Sequence, residues 1–296
     1  MTAKRSLPQV AYENAKDELT DYVTYTKLSE SEKKKDISFK RILERSADKE
    51  YEHYTFWSAY NSKKPSVSNL RIRLTKLLRR VLGITFTVRY LERNELRSVR
   101  KYREITNLLP PAGKKVVEQI IAEEERHQRE FNRHFKRRIN YISFIVLGLT
   151  DALVEIAGIH TGALGIYNST EVAGLAGIVA GAAASIAMAS AAYAQAKTGF
   201  KGSAAVSATY TGISYFVAAV LLATPYFLTK TMLIALIFSL IVGVALIGII
   251  TFFGSIISGT VFRKDFAEVT GIMFGAAGAL YLLGLALRYF TGILMP

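Results

Sequence analysis

The 296-residue chain contains no cysteine. Disulfides, thiolate metal sites and cysteine nucleophiles are thereby excluded, so any metal chemistry must use carboxylate, imidazole or thioether groups. Histidine is scarce, with four in the chain. The opening stretch MTAKRSLPQVAYENAKDELTD lacks an apolar segment, so no N-terminal signal peptide is expected. The most informative scarcity is local. After Asn140 the chain holds only six of its 38 Lys and Arg residues and five of its 24 Asp and Glu residues. A soluble domain is roughly one quarter charged, and residues 141–296 fall far below that. The formal net charge of +14 therefore belongs almost wholly to residues 1–140. Two regions suited to different solvents are expected, divided at 140.

What residues 141–296 do have is long apolar runs. Five of them, at about 141–166, 171–196, 204–226, 231–258 and 267–291, exceed the roughly 20 residues that cross a bilayer as helix. Backbone groups in lipid must bond internally, so each is expected to be helical. Connections such as YNSTE, KTGFKGS, TPYFLTK and TVFRKDF separate them. Lys197 and Lys201 fall between the second and third spans, and Arg263 and Lys264 between the fourth and fifth. With the basic region before the first span, this places the N-terminus in the cytoplasm and the C-terminus outside a cell membrane; Lys230 alone dissents.

Residues 8–140 read as four helices. The first runs from about Pro8 to Glu30. The second starts near Asp36, a plausible N-cap, and ends before NSKKPSVSN. The third covers about 68–107 with Gly83 as a break, and the fourth, about 111–139, follows LLPPAGKK. Two of the four histidines sit in Glu-x-x-His: EYEH gives Glu50 and His53, and EERH gives Glu124 and His127. The i, i+3 spacing puts both side chains on one helix face, able to grip one cation. A dinuclear bundle site needs two such motifs and one acid from each remaining helix. DELTDYVTY offers Glu18, with Asp17 and Asp21 beside it. YLERNELRSVRKY offers Glu95, with Glu92 one turn earlier.

The order Glu18, Glu50–His53, Glu95, Glu124–His127 resembles the rubrerythrin and ferritin-like family over about residues 10–135. Tyr25 and Tyr102, each seven residues after an acid, resemble that family's tyrosine positions. The resemblance implies a cytoplasmic four-helix bundle binding two iron ions, with Mn2+ or Zn2+ as other candidates. The cysteine-based electron-transfer module of full-length rubrerythrins is missing, which argues against peroxidase chemistry.

The segment NLRIRLTKLLRRVLGI, about 69–84, places Leu70, Leu74, Leu77, Leu78 and Val81 on one stripe and Arg71, Arg73, Lys76, Arg79 and Arg80 largely on another side. Such a helix suits an anionic leaflet. No nucleic-acid recognition motif accompanies the charge, and no nucleic-acid partner is expected.

Within the first apolar run, GLTDALVEIAGIH carries Asp151 and Glu155 on one face, followed by His160. Acids at membrane depth are expensive and usually face a polar pathway, where they can meet divalent cations or exchange protons. The second run is rich in small residues, with Gly174, Gly177 and Gly181 permitting close helix approach and Ser185, Met188 and Ser190 adding oxygen and thioether groups. GLTDALVEIAGIHTGALG and AAASIAMASAAYAQAKTG resemble the vacuolar iron transporter family. The resemblance implies a homodimeric carrier moving Fe2+ or Mn2+ out of the cytoplasm, with Asp151 and Met188 lining its pathway and Glu155, Ser185 and His160 as further candidates. The helical insert that plant and protozoal members carry between spans two and three is replaced here by KTGFKGSAAV.

The expected chain is all-α: a ferritin-like metal-binding domain over 1–140 fused to a five-span transporter over 141–296, similar to membrane-bound ferritin-like exporters. The expected function is proton-coupled export of Fe2+ or Mn2+, with no catalytic residue assigned. The rival reading is a membrane-anchored di-iron oxidase acting as a ferroxidase.

Overall fold

The computed structural model describes residues 6–32, 37–166, 169–198 and 202–291. Helices account for nearly all of them, and no strand occurs among the described residues. The chain divides into two compact units, Met1–Lys136 and Arg137–Pro296.

In the first unit, α1 (Leu7–Ser31) opens with the Ser6 backbone N–H bonded to the Gln9 side chain. α2 covers Ile37–Ser58; the expected cap Asp36 lies outside the described residues. α3 (Asn69–Ile105) is capped by Ser68, whose hydroxyl accepts from the Arg71 N–H. Gly83 interrupts it with φ 79°, ψ 174°, a conformation that side-chain-bearing residues avoid. A 3-10 turn, Thr106–Leu108, and Pro110 end that path. Pro111 then starts α4 (Pro111–Ile166) at the position where a missing N–H costs nothing. Ala11, Ala15, Trp57, Tyr102, Val117 and Ile120, drawn from all four helices, pack into one apolar cluster with Leu109 of the connection before α4. Tyr25, Phe39, Phe131 and Phe135 form an aromatic one. Buried alongside them are residues that an ordinary core rejects: Glu18, Glu50, His53, Glu92, Glu95 and Glu124.

The second unit holds the remainder of α4, then α5 (Thr170–Lys197), α6 (Ala204–Leu228), α7 (Met232–Ser258) and α8 (Phe262–Thr291). Ser169 and Ser203 cap α5 and α6 through their hydroxyls, and Gly259 ends α7 in the left-handed region. Ala152, Leu153 and Ile156 of α4 pack with Tyr215, Ala219 and Leu222 of α6, Ile247 of α7 and Met273 of α8. Close approach depends on missing side chains. A Cβ on Gly181 would strike Ala219, and one on Gly148 would strike the Thr211 carbonyl.

Five stretches, Tyr141–Leu164, Thr170–Lys197, Ala204–Leu228, Met232–Ser258 and Phe262–Phe290, are long and apolar enough to cross a membrane. Their outer surfaces carry Val179, Ile186, Ile213, Ile241 and Leu282, all exposed. An apolar exterior of this extent suits hydrocarbon, and the chain is a multi-pass membrane protein.

The last connection differs from expectation. α8 begins at Phe262, so Arg263 and Lys264 sit in its first turn and Gly259–Val261 alone link it to α7. The Thr260 hydroxyl bonds the Asp265 carboxylate, and Lys264 lies 3.8 Å from Glu268, contacts that extend a helix into a charged stretch. Lys201 lies outside the described residues.

Candidate metal centre

Glu18 of α1, Glu50 and His53 of α2 and Glu124 of α4 converge. One ligand-type atom of each lies within 4.8 Å of all the others. His53 Nδ1 is 3.1 Å from Glu124 Oε1, 3.8 Å from Glu50 Oε2 and 4.0 Å from Glu18 Oε2. All four residues are at least 95% buried. Neither Glu50 oxygen, nor Glu124 Oε2, receives a hydrogen bond from any described residue. Buried carboxylates without donors cost several kcal/mol each, at order of magnitude, unless a cation or proton compensates them. Three carboxylates and an imidazole are a donor set that a divalent metal ion fits.

The electrostatics express the same deficit. Burial pushes the Glu50 carboxyl well above its usual range, and the charges of Glu124 and Glu18 push it further. Burial also raises Glu18, although its contacts with Glu50, His53 and Tyr102 oppose the shift. For His53, burial favours the neutral ring, but the hydrogen bond to Glu124 and the charges of Glu18 and Glu124 outweigh it and raise the imidazole to about 9.

Glu95 of α3 is buried beside this group. Burial, then the charge of Glu124, lifts its carboxyl well above the usual range. Tyr25 Oη donates to Glu95 Oε1 at 2.5 Å, and Tyr102 Oη donates to Glu18 Oε1. The tyrosine of α1 thus braces the acid of α3, while the tyrosine of α3 braces the acid of α1. His127 stays outside the four-residue group; it is half-buried, and burial holds its imidazole below the ordinary value. Low basicity keeps a ring nitrogen available as a neutral ligand.

The neighbouring acids divide by partner. Asp21 and Asp17 accept from Arg71, at 2.9 and 3.5 Å, and Glu92 accepts from Arg89 at 2.9 Å. Each already has a cation, which Glu18, Glu50 and Glu124 lack among the described side chains apart from His53. Glu123 escapes the sequence motifs. Its Oε2 lies 3.2 Å from His53 Nε2, on the side of the ring away from the cluster, and Lys49 Nζ is 3.5 Å from its other oxygen. A carboxylate bonded to Nε2–H fixes the ring with Nδ1 toward the acids, where that nitrogen can exchange its proton for a metal ion. No spacing rule singles out Glu123 within the run Glu123–Glu125; only the position of α2 does.

In the second unit, Asp151 is half-buried and Glu155 exposed on α4, where Tyr215 Oη of α6 donates to Glu155 Oε2 at 2.5 Å. Met188 packs against the cluster that contains Ala152, Ile156 and Tyr215. Ser185 bonds the Ala182 carbonyl and lines a hollow of about 670 Å3 with Ser190, Tyr193, Gly212 and Phe216. His160 is not brought to the carboxylates. Five residues past Glu155, about 7.5 Å along the helix, it is fully buried, with its ring centroid 4.3 Å from that of Tyr226 and Nδ1 3.5 Å from Ser239 Oγ. Its Nε2 faces Gly177 so closely that a Cβ there would collide with it.

No protein-family model, curated protein or solved structure matches this chain.

Proposed function

We propose that this protein is a divalent-metal exporter of the cell membrane, carrying Fe2+ or Mn2+, with an N-terminal ferritin-like domain that receives metal in the cytoplasm. The observation carrying the proposal is the Glu18–Glu50–His53–Glu124 cluster, in which both Glu50 oxygens and Glu124 Oε2 have no donor among the described residues, in a chain that also has five spans and two intramembrane acids. A membrane anchor has no use for Asp151 and Glu155, because ionisable groups at that depth are expensive.

In this reading Glu95 and His127 complete a dinuclear iron site with the four clustered residues. When bound, iron supplies one-electron redox chemistry and compensates the buried acids. The chain's own groups do the rest. Glu123 orients His53, Tyr25 and Tyr102 position Glu95 and Glu18, and the acids exchange protons for the metal ions that arrive. Glu155 is exposed on the protomer within an apolar helix, which supports a homodimer in which a second copy shields that carboxylate from lipid. Asp151 and Glu155, with Met188 nearby, then form the pathway, and protons returning on the same carboxylates drive exit. The N-terminus is cytoplasmic and the C-terminus outside.

Flux of Fe2+ into proteoliposomes tests this. Wild-type protein is expected to move Fe2+ in exchange for protons, and Asp151→Asn to abolish the movement with fold intact. Asp151→Asn vesicles that transport at the wild-type rate would falsify the pathway. Sustained O2 consumption with Fe2+ and no flux would favour the membrane-anchored oxidase instead.

A further inference from the structure

The first part of α3 has a face that the proposed transport does not use. Toward α1 this segment buries Ile72 and Thr75 and ties down two of its five basic residues: Arg71 to Asp17 and Asp21, and Arg79 to Ser31 and Glu32. The opposite side presents Leu70, Leu74, Leu77 and Val81, which are 79%, 40%, 56% and 68% exposed. At i, i+4, i+7 and i+11 they form one straight apolar stripe. Arg73, Lys76 and Arg80 stand exposed along one flank and pair with no carboxylate among the described residues. Between Asn69 and Leu91 the chain has no acidic residue.

The stripe has a defined end. Gly83, at φ 79°, breaks the helix just past Val81, and beyond it Thr85, Phe86, Thr87 and Val88 turn inward and are buried. Between α1 and α3, on the side of α3 turned away from the stripe, lies a hollow of about 360 Å3 lined by Thr24, Leu28, Ile72, Lys76, Arg79 and Arg80.

We infer that residues 69–82 dock on an anionic lipid leaflet, with Leu70, Leu74, Leu77 and Val81 in the headgroup boundary and Arg73, Lys76 and Arg80 on lipid phosphates. The chain's own spans keep a bilayer within reach, and unpaired cations flanking an apolar stripe complement such a surface. A second copy is the poorer occupant. Two such segments laid face to face bring six unpaired cations together and no acid to meet them. The inference needs only that the spans cross a bilayer, whatever the protein transports.

The absence of cysteine allows a clean test. Full-length Leu77→Cys protein, labelled at that position, is placed in nanodiscs of zwitterionic lipid or of zwitterionic lipid mixed with phosphatidylglycerol, each with a lipid-borne quencher. A Lys63→Cys label reports an exposed loop for comparison. Strong quenching at position 77 is expected in anionic discs alone, absent from position 63. Each of Arg73→Gln, Lys76→Gln and Arg80→Gln should shift the docked-to-free ratio by about fivefold. Unchanged thermal unfolding would show that the exposed substitutions leave the fold intact. Equal quenching in both disc types, no quenching in either, or disulfide trapping of two copies of the unlabelled Leu77→Cys protein would each overturn the inference.

Discussion

At the residue scale, the cluster is a set of groups held in the wrong protonation state for free ions in water. Burial lifts Glu18, Glu50 and Glu95, raises Asp21 to about 7 against the pull of Arg71, and raises Glu92 to about 7 against Arg89. A carboxyl whose pKa is higher folded than unfolded holds its proton better in the native state. Its contribution to stability is complete below the ordinary value near 4 and lost as pH rises through the folded value, which for Asp21 and Glu92 is about 7. His53, raised to about 9, contributes fully below its ordinary value of 6.5 and loses that contribution as pH rises through 9. His127, lowered by burial, opposes them only below its own ordinary value. The metal-free protein is therefore expected to melt at progressively lower temperature from pH 5 to pH 9. Trp57, the only tryptophan, is buried in the first unit and reports that unit's melting by fluorescence. Glu50→Gln should flatten the pH dependence and raise the melting temperature at pH 8. A flat wild-type profile would contradict the account. Glu123 acts through another residue, so Glu123→Gln should weaken metal binding by roughly 10- to 100-fold without removing a ligand. Competition against a chelator of known affinity measures this.

At the element scale, much was legible beforehand because helix signals are local. Glu50–His53 and Glu124–His127 are readable pairs because i, i+3 spacing lies within one helix. The choice among Asp17, Glu18 and Asp21 was not readable, since it turns on Arg71, 50 positions beyond Asp21 and 54 beyond Asp17, on α3. The start of α8 was missed for a related reason. A charged stretch reads as a loop, and the Thr260–Asp265 contact that carries it into helix is visible only in three dimensions. Two glycines carry predictions of their own. Gly83 has open space around it but a backbone conformation reserved for glycine, so Gly83→Ala should cost about 1–3 kcal/mol. Gly177 is helical but faces His160 Nε2, so Gly177→Ala should destabilise by overpacking, by about 1–3 kcal/mol. Thermal unfolding of each variant checks both. The Gly177 penalty should shrink in a Gly177→Ala, His160→Ala double variant, whereas the Gly83 penalty should be indifferent to His160.

At the scale of the whole molecule, the proposal assigns metal reception to one unit and metal movement to the other, so defects should segregate. Glu50→Ala and Glu124→Ala are expected to lower the metal content of purified full-length protein, measured by elemental analysis, while Asp151→Asn keeps its metal and loses flux. Loss of bound metal in Asp151→Asn would show that the two functions are not separable in this way.

Composition by itself determined that the chain has two parts. Charge density and apolar run length are sums over residues, and the bilayer imposes the same thickness whatever the packing. The sequence also determined that Glu50 and His53 share a face, and Glu124 and His127 another, because helical periodicity requires nothing beyond the helix. Only the tertiary structure decided which acids are left without a cation. Arg71 and Arg89 neutralise Asp21 and Glu92, Glu123 turns the His53 ring, and His160 is turned toward Ser239 and Tyr226. A carboxylate's role depends on which charges and donors lie within a few ångströms, and in a helical fold those neighbours come from other helices.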